Sequence, residues 1–408
     1  MSDHSHALTP PAPETFDAKR AGALPTILLG VGVVGIALSL IGLFVPAWRA
    51  QFAFSWLFGF SFFFTISVGG LFWACLHHAT DAEWSVVVRR QMENIAKLLP
   101  YFALFFLPLL VCIMSRGADG EGLLLKWWFK APGVDALLDA KAGYLNHGFF
   151  YVRIVFYFVM LSWVALTLWK LSTKQDSDGA AVHSLKMRNF GVGGIPALAV
   201  CLTFFAVDLL MGLDYHWFST MWGVYIFAGA AGSSMSLLVL IVTALKKSGY
   251  LKVVNDEHYH IMGKFMLAFT IFWAYIGFSQ YMLIWYANIP EETIYFRLRN
   301  TESWWYFSQF LVIGRFFLPF PVLLFQFTKK TKLINWVAVW ILLMQLVDLY
   351  VIVLPNLHRT GFNPSIFDLT SLIGIGGILG WLFFRHLGQS YLFPTRDPRL
   401  LGSLKLTN

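Results

Sequence analysis

The sequence predicts an all-α polytopic membrane protein of about ten transmembrane helices, arranged as two related four-helix bundles plus two flanking helices. Three observations carry that prediction. First, 58% of the residues are hydrophobic and only 13% charged, with a mean hydropathy of +0.64, whereas soluble domains carry about a quarter charged residues. Second, a helix needs roughly 20 apolar residues to cross a hydrocarbon core of about 30 Å. Stretches near 24–45, 52–77, 97–115, 149–170, 194–214, 219–245, 261–286, 304–327, 333–353 and 367–385 meet that length. Third, the chain resembles itself four spans along. Trp56 opens WLFGFSFFFTISVGG and Trp222 opens WGVYIFAGAAGSS, while Val207-Asp208-Leu209 in the fifth span is matched by Val347-Asp348-Leu349 in the ninth. Units 52–214 and 219–353 then run the same way through the membrane, related about its normal.

In chain order, residues 1–23 have no basic start and are rich in Pro, His, Thr and Ala, which reads as a retained disordered tail. The first span, GVGVVGIALSLIG at its centre, is rich in small residues that suit close helix packing. The runs GVGG at 191–194 and GIGG at 374–377 are packing or hinge sites by the same argument. The longest loop, 116–148, carries Trp127 and Trp128 and suits partner docking or an interfacial position. A transmembrane domain over 24–390 ends in a second tail, 391–408.

Cationic residues set the expected orientation. The tails and even-numbered loops, with Lys19, Arg20, Arg89, Arg90, Lys97, Lys246, Lys247, Lys329, Lys330 and others, hold more than twice the Lys and Arg of the opposite face. Both termini are therefore expected in the cytoplasm. The net charge of +8 is topology rather than a nucleic-acid footprint, because no basic soluble domain exists.

Ionisable groups inside a bilayer are costly and mark candidate function. Counting from Gly194 and Leu333 at ~1.5 Å per residue, Asp208 and Asp348 lie roughly 21–23 Å from the cytoplasmic edge, and Arg315 lies about 16 Å below Trp304. Arg315 is the natural counter-ion for one of the two aspartates. The three are expected to handle protons near the outer face, with a structural polar contact between helices as the alternative. After Asp208 comes a dense polar turn with Asp214, Tyr215, His216 and Trp217, an interfacial cluster by composition. The histidines fall at span ends or in loops, and Cys75, Cys112 and Cys201 form no CxxC, so no haem, iron–sulfur or zinc site is read within the chain.

The run Asp214-Tyr215-His216-Trp217-Phe218-Ser219-Thr220, then Gly223-Val224-Tyr225-Ile226-Phe227-Ala228-Gly229, resembles the NrfD-like (polysulfide-reductase membrane subunit) family. It is most similar to the second such subunit of alternative complex III, as is residues 265–299. The resemblance implies a membrane subunit, not catalytic alone, of a bacterial inner-membrane quinol:cytochrome c or other high-potential-carrier oxidoreductase. It would contribute a quinol pocket or a proton-conducting path, for which Asp208, Asp348, Arg315, Asp214 and His216 are the candidate residues. It further implies partners: a sister NrfD-like subunit, haem-c and iron–sulfur subunits that hold the redox cofactors, and a terminal oxidase. The alternative is an independent secondary transporter or proton channel built from the two repeats. Such transporters break helices in equivalent positions of both halves, and Pro319 with Pro321 in the eighth span is the sole strong break.

Overall fold

The computed structural model describes residues 11–407. Ten helices in it are long and apolar enough to cross a membrane: Leu24–Phe44, Arg49–Ala79, Glu83–Ile113, His147–Asp178, Val182–Leu213, Trp222–Lys247, Asp256–Ala287, Trp304–Leu324, Leu333–Asn356 and Ile366–Leu387. They are numbered here spans 1 to 10. The protein is thus an all-α, multi-pass membrane protein, and no strand occurs among the described residues. Large apolar side chains such as Val34, Leu104, Val155, Val159, Phe278 and Phe317 stay exposed. In water such a belt would be a liability; in lipid it is the outer surface of the bundle.

Spans 2 and 6 are the most enclosed helices and form the axis of the molecule. They touch at Gly69, where an added Cβ would stand 2.2 Å from the Ala230 carbonyl oxygen. Span 2 also packs on spans 3 and 5, and span 6 packs likewise on spans 7 and 9. Span 1 lies along span 10 through Gly32, Gly35, Gly374 and Gly377, close enough for Ser39 to donate to Thr370 at 2.8 Å. Gly191 and Gly194 abut Cys75 of span 2 in the same way. All three cysteines are free and buried.

Three sequence readings are corrected. Span 3 begins at Glu83 rather than near 97, so Arg89, Arg90 and Lys97 are not loop charges. Arg89 and Arg90 are fully buried, with Glu93 and His78 beside them. Arg89 pairs with Asp397, Arg90 with Asp176 at 2.8 Å, and His78 with Glu93 at 3.1 Å. A hydropathy pattern misses this stretch because its charges cancel one another inside the protein. Removing the three cations from the loop count narrows the charge bias without reversing it.

The terminal segments are packed, not free. Residues 1–10 lie outside the described residues, but Leu392 N–H donates to the Glu14 carbonyl at 2.8 Å, and Leu251 N–H to the Glu14 carboxylate at 2.7 Å. Leu392, Phe393 and Leu400 are buried, and Asp397 ties the C-terminal segment to span 3. Burial alone would raise the Asp397 pKa, yet Arg89 and Arg399 outweigh it and hold the carboxyl well below the usual range. Lastly, Trp127 and Trp128 point inward. The Trp128 indole stacks on His147 at 4.2 Å between ring centres and meets Phe150 edge-on, so neither is presented for docking.

Candidate functional site

The candidate site is a cleft between spans 7 and 8 that ends on Asp348. Its existence depends on how span 8 is built. Pro319 has no N–H, and the turn before it widens into a π-helix over Ile313–Phe317. Leu318 N–H bonds back to the Ile313 carbonyl, which leaves the Gly314 carbonyl for the Trp340 indole N–H at 2.6 Å. The widened turn carries Arg315 and aims it at span 9. Below it the chain breaks at Phe325, where the Lys329 ammonium takes up the freed Leu323 and Leu324 carbonyls.

Three donors converge on the Asp348 carboxylate. Arg315 Nη1 donates at 2.9 Å, the Tyr225 hydroxyl at 2.6 Å and the Trp273 indole at 3.1 Å. Arg315 Nη2 also donates to Gln345, and its guanidinium lies 4.5 Å from the Trp273 ring centre. Tyr225 and Gly229 stand one helical turn apart on span 6, so both face this cluster. Gly229 is small for a reason: a Cβ there would meet Gln345 Oε1 at 2.6 Å and Arg315 Nη2 at 2.9 Å.

The cleft has a volume of about 860 Å³. Tyr225, Trp273, Tyr281, Trp285, Tyr295, Phe296, Trp305 and Phe316 supply aromatic walls, while Asp348, Gln280, Arg299 and Asn300 supply polar groups. Arg315 does not line it, so the guanidinium backs the carboxylate from inside the bundle. The far wall is the helix Pro290–Arg299, which starts with Pro290, Glu291 and Glu292 and ends with Arg299 as capping preferences require. Arg299 donates to the Val351 and Ile352 carbonyls at the end of span 9, clamping that helix over the cleft. The Tyr295 ring lies 3.4 Å under the guanidinium. Burial, its largest influence, pushes the Tyr295 hydroxyl up to about 12.

Asp208 belongs to a separate cluster. Arg153 of span 4 grips it through Nε at 3.0 Å and Nη2 at 2.8 Å, and the Tyr157 hydroxyl adds a third bond at 2.8 Å. Arg153 Nη1 reaches the Tyr144 carbonyl at 2.8 Å, with the Tyr144 ring 3.8 Å away. The expectation that Asp208, Asp348 and Arg315 form one site is therefore corrected. The two aspartates share no hydrogen-bond partner among the described residues, and each has its own arginine one span earlier. Arg153 was missed because it lies only two turns into its span, where a cation ordinarily reaches for the interface. Asp208 does not line that cleft and is itself buried beneath these partners. Leu57, Leu109, Ile113, Leu124, Leu125, Leu209 and Leu213 close the far end of that unit without leaving room for water.

The polar turn fastens the long loop. Asp135 accepts from the Tyr215 hydroxyl at 2.6 Å and meets His216 Nε2 at 3.0 Å, while Asp214 accepts from the His216 backbone N–H at 3.1 Å. Lys130 and Lys141 bond Tyr215 at 2.8 and 2.7 Å. The bonds Asp135 accepts, that of the Tyr215 hydroxyl foremost and then those of Leu138 N–H, His216 and Leu137 N–H, hold its carboxyl down at about 2. Asp214 and His216 thus brace the loop and do not face Asp348. Trp217 links the turn to the cleft by stacking on Tyr295 at 4.1 Å. Among the described residues no group of three or more His, Cys, Asp or Glu is placed to hold a metal ion. No protein-family model and no curated protein matches this chain.

Proposed function

We propose that the chain is a membrane subunit of a quinol-oxidising electron-transfer complex of the NrfD-like type, and that the cleft between spans 7 and 8 takes the quinol head group. The supporting observation is the pairing of an aromatic, laterally placed cleft with a buried carboxylate at its end. A planar ring needs aromatic walls, an isoprenoid tail needs an opening toward lipid, and an oxidised quinol must hand over protons. Quinol oxidation releases two electrons and two protons. Asp348 receives a proton from the ring hydroxyl, while Arg315 can shift its weight to Gln345 as the carboxylate is neutralised. The electrons leave to an iron–sulfur or haem-c subunit of the complex, the high-potential acceptor class. In this reading the complex sits in a bacterial inner membrane, with both termini cytoplasmic by the cationic bias of the loops.

The transporter alternative is less well supported. Paired broken helices are expected in both halves of such proteins, yet span 4 runs unbroken from His147 to Asp178 while span 8 is broken. The test is Asp348→Asn and Asp348→Glu in the assembled native complex. Quinol:cytochrome c reduction is expected to fall about a hundredfold or more in the Asn variant, the lower end of what lost acid–base catalysis costs, and to recover in part in the Glu variant. Full turnover in the Asn variant would sink the assignment. A chain that purifies without redox subunits and accumulates a solute in vesicles would favour the transporter.

A further inference from the structure

The cleft holds a second polar anchor. Gln280, on span 7, lines it and is 7% exposed, yet its amide nitrogen has no hydrogen-bond partner among the described residues. A buried amide donor without a partner has lost its hydration with nothing in return and calls for an explanation. Trp273, which donates to Asp348, is on the same helix, and seven residues or two turns separate it from Gln280. The two side chains therefore share a helix face, with ~10.5 Å between their levels along the axis. Asp348, which takes the Trp273 indole N–H, and the Gln280 amide thus mark two separate polar places on the cleft wall, an interval that a ring with an oxygen at each end can bridge. A ligand with a single polar end does not fill it.

We infer that the cleft recognises a para-dioxygenated ring at two points, one oxygen at Asp348 and the opposite oxygen at the Gln280 amide. This rests on the quinol reading above and adds to it the substrate geometry and a positioning residue. An amide suits that place. Its NH₂ donates to a quinone carbonyl, and once the side chain turns its carbonyl accepts from a quinol hydroxyl. A carboxylate there would repel an electron-rich oxidised ring carbonyl, and an aliphatic residue would leave the oxygen dry. The tail then leaves sideways past Phe278 and Phe317, which are both exposed on the lipid-facing rim.

The experiment uses the full chain in lipid nanodiscs and decylubiquinone labelled with carbon-13 at one carbonyl or the other. Binding is followed by titration, and hydrogen bonding by the infrared shift of each carbonyl. In the wild type both carbonyl bands are expected to move to lower frequency, one bonded to the Gln280 amide and the other to Asp348, which beside the quinone carries the proton it takes up in the quinol reading and donates it as an acid O–H. In Gln280→Leu one label should return to its unbonded frequency while the other stays shifted, and Kd should rise about tenfold, the usual worth of one net hydrogen bond. Gln280→Met serves as a second apolar variant should Leu disturb packing, and Gln280→Asn should restore part of the shift. If the wild type binds and both bands stay shifted in the Leu and Met variants, Gln280 does not hold the second oxygen and this inference is overturned. If the wild type gives no binding and no shifted carbonyl, the quinol reading itself falls, and this inference with it.

Discussion

Asp208→Asn should destabilise the protein by about 3–5 kcal/mol, the cost of leaving one member of a buried ion pair uncompensated. Arg153 and Asp208 are both nearly excluded from solvent, and the carboxylate is held through two guanidinium bonds and the Tyr157 hydroxyl. The Asn amide keeps the tyrosine bond but turns an NH₂ toward Arg153, leaving a cation in an apolar setting. On insertion scales such a cation costs ~2.5–3.5 kcal/mol, which agrees with the first figure. Adding Arg153→Met removes the stranded charge. The double variant should then return to within about 1–2 kcal/mol of the wild type. The remainder comes from the lost contacts of Arg153 with the Tyr144 and Phe149 rings. Equilibrium unfolding of the full chain in mixed micelles, run as a double-mutant cycle, measures the coupling directly. A neutral single variant, or a double variant as unstable as the single, would refute the argument. Turnover of the assembled complex adds a second arm. A stable double variant should retain quinol oxidation, because Asp208 does not line the cleft, and loss of turnover despite normal stability would return a proton-carrying role to this aspartate.

Two other consequences can be measured. Gly229→Ala drives a methyl into Gln345 and Arg315; a stability loss of about 1–3 kcal/mol is expected from overpacking, and turnover in the assembled complex should drop roughly a hundredfold if Arg315 shifts by about an ångström, so unchanged turnover would show that Arg315 placement does not matter. The Asp135 carboxyl titrates at about 2 in the folded loop against an ordinary 3.8. A depressed carboxyl stabilises the docked loop fully above the ordinary value and loses that contribution as pH falls through about 2. Acrylamide quenching of Trp127 and Trp128 should therefore rise between pH 4 and pH 2 in the wild type, and a quenching profile identical in Asp135→Asn would disprove the link.

Much of the framework was legible in the residues, and what escaped did so for identifiable physical reasons. Apolar length alone located all ten spans, and the rule that intramembrane carboxylates are rare pointed to Asp208 and Asp348 before any geometry was known. Pro319 announced the break in span 8, though not that the turn before it would open into a π-helix that swings Arg315 onto Asp348. Window-averaged hydropathy could not see the start of span 3, because Arg89, Arg90 and Glu93 neutralise one another and the C-terminal Asp397 arrives from far along the chain. The cleft was equally invisible. Its walls come from spans 6 to 9 and from Pro290–Arg299, and no local pattern records that these elements stand apart. Gln280 gave no signal at all, since one glutamine in an apolar helix usually bonds to a neighbouring helix.

The two arginine–aspartate pairs bear on why one half of the molecule is open and the other closed. Both obey one rule, an arginine on the fourth or eighth span facing an aspartate on the next, with a tyrosine hydroxyl as third partner. Charge neutrality explains that much without function, since either residue alone would be too costly in lipid. The pairs differ in what covers them. Over Asp208 the 33-residue connection 114–146 folds back, with Tyr144 on Arg153 and Leu124 and Leu125 packed against Leu209 and Leu213. Over Asp348 the connection between spans 7 and 8 spends its length on one short helix, whose Arg299 braces span 9, and span 8 packs on span 7 chiefly from its Ile313–Phe317 turn onward. The same pair is thus an internal strut between spans 4 and 5 and the inner end of a cleft at spans 8 and 9. Access, more than the identity of the charged residues, separates them. It follows that filling the cleft with a larger side chain at Gly277 or Ser308 should remove the quinol binding proposed for it while both ion pairs remain intact, and a filled variant that binds as the wild type does would refute the argument.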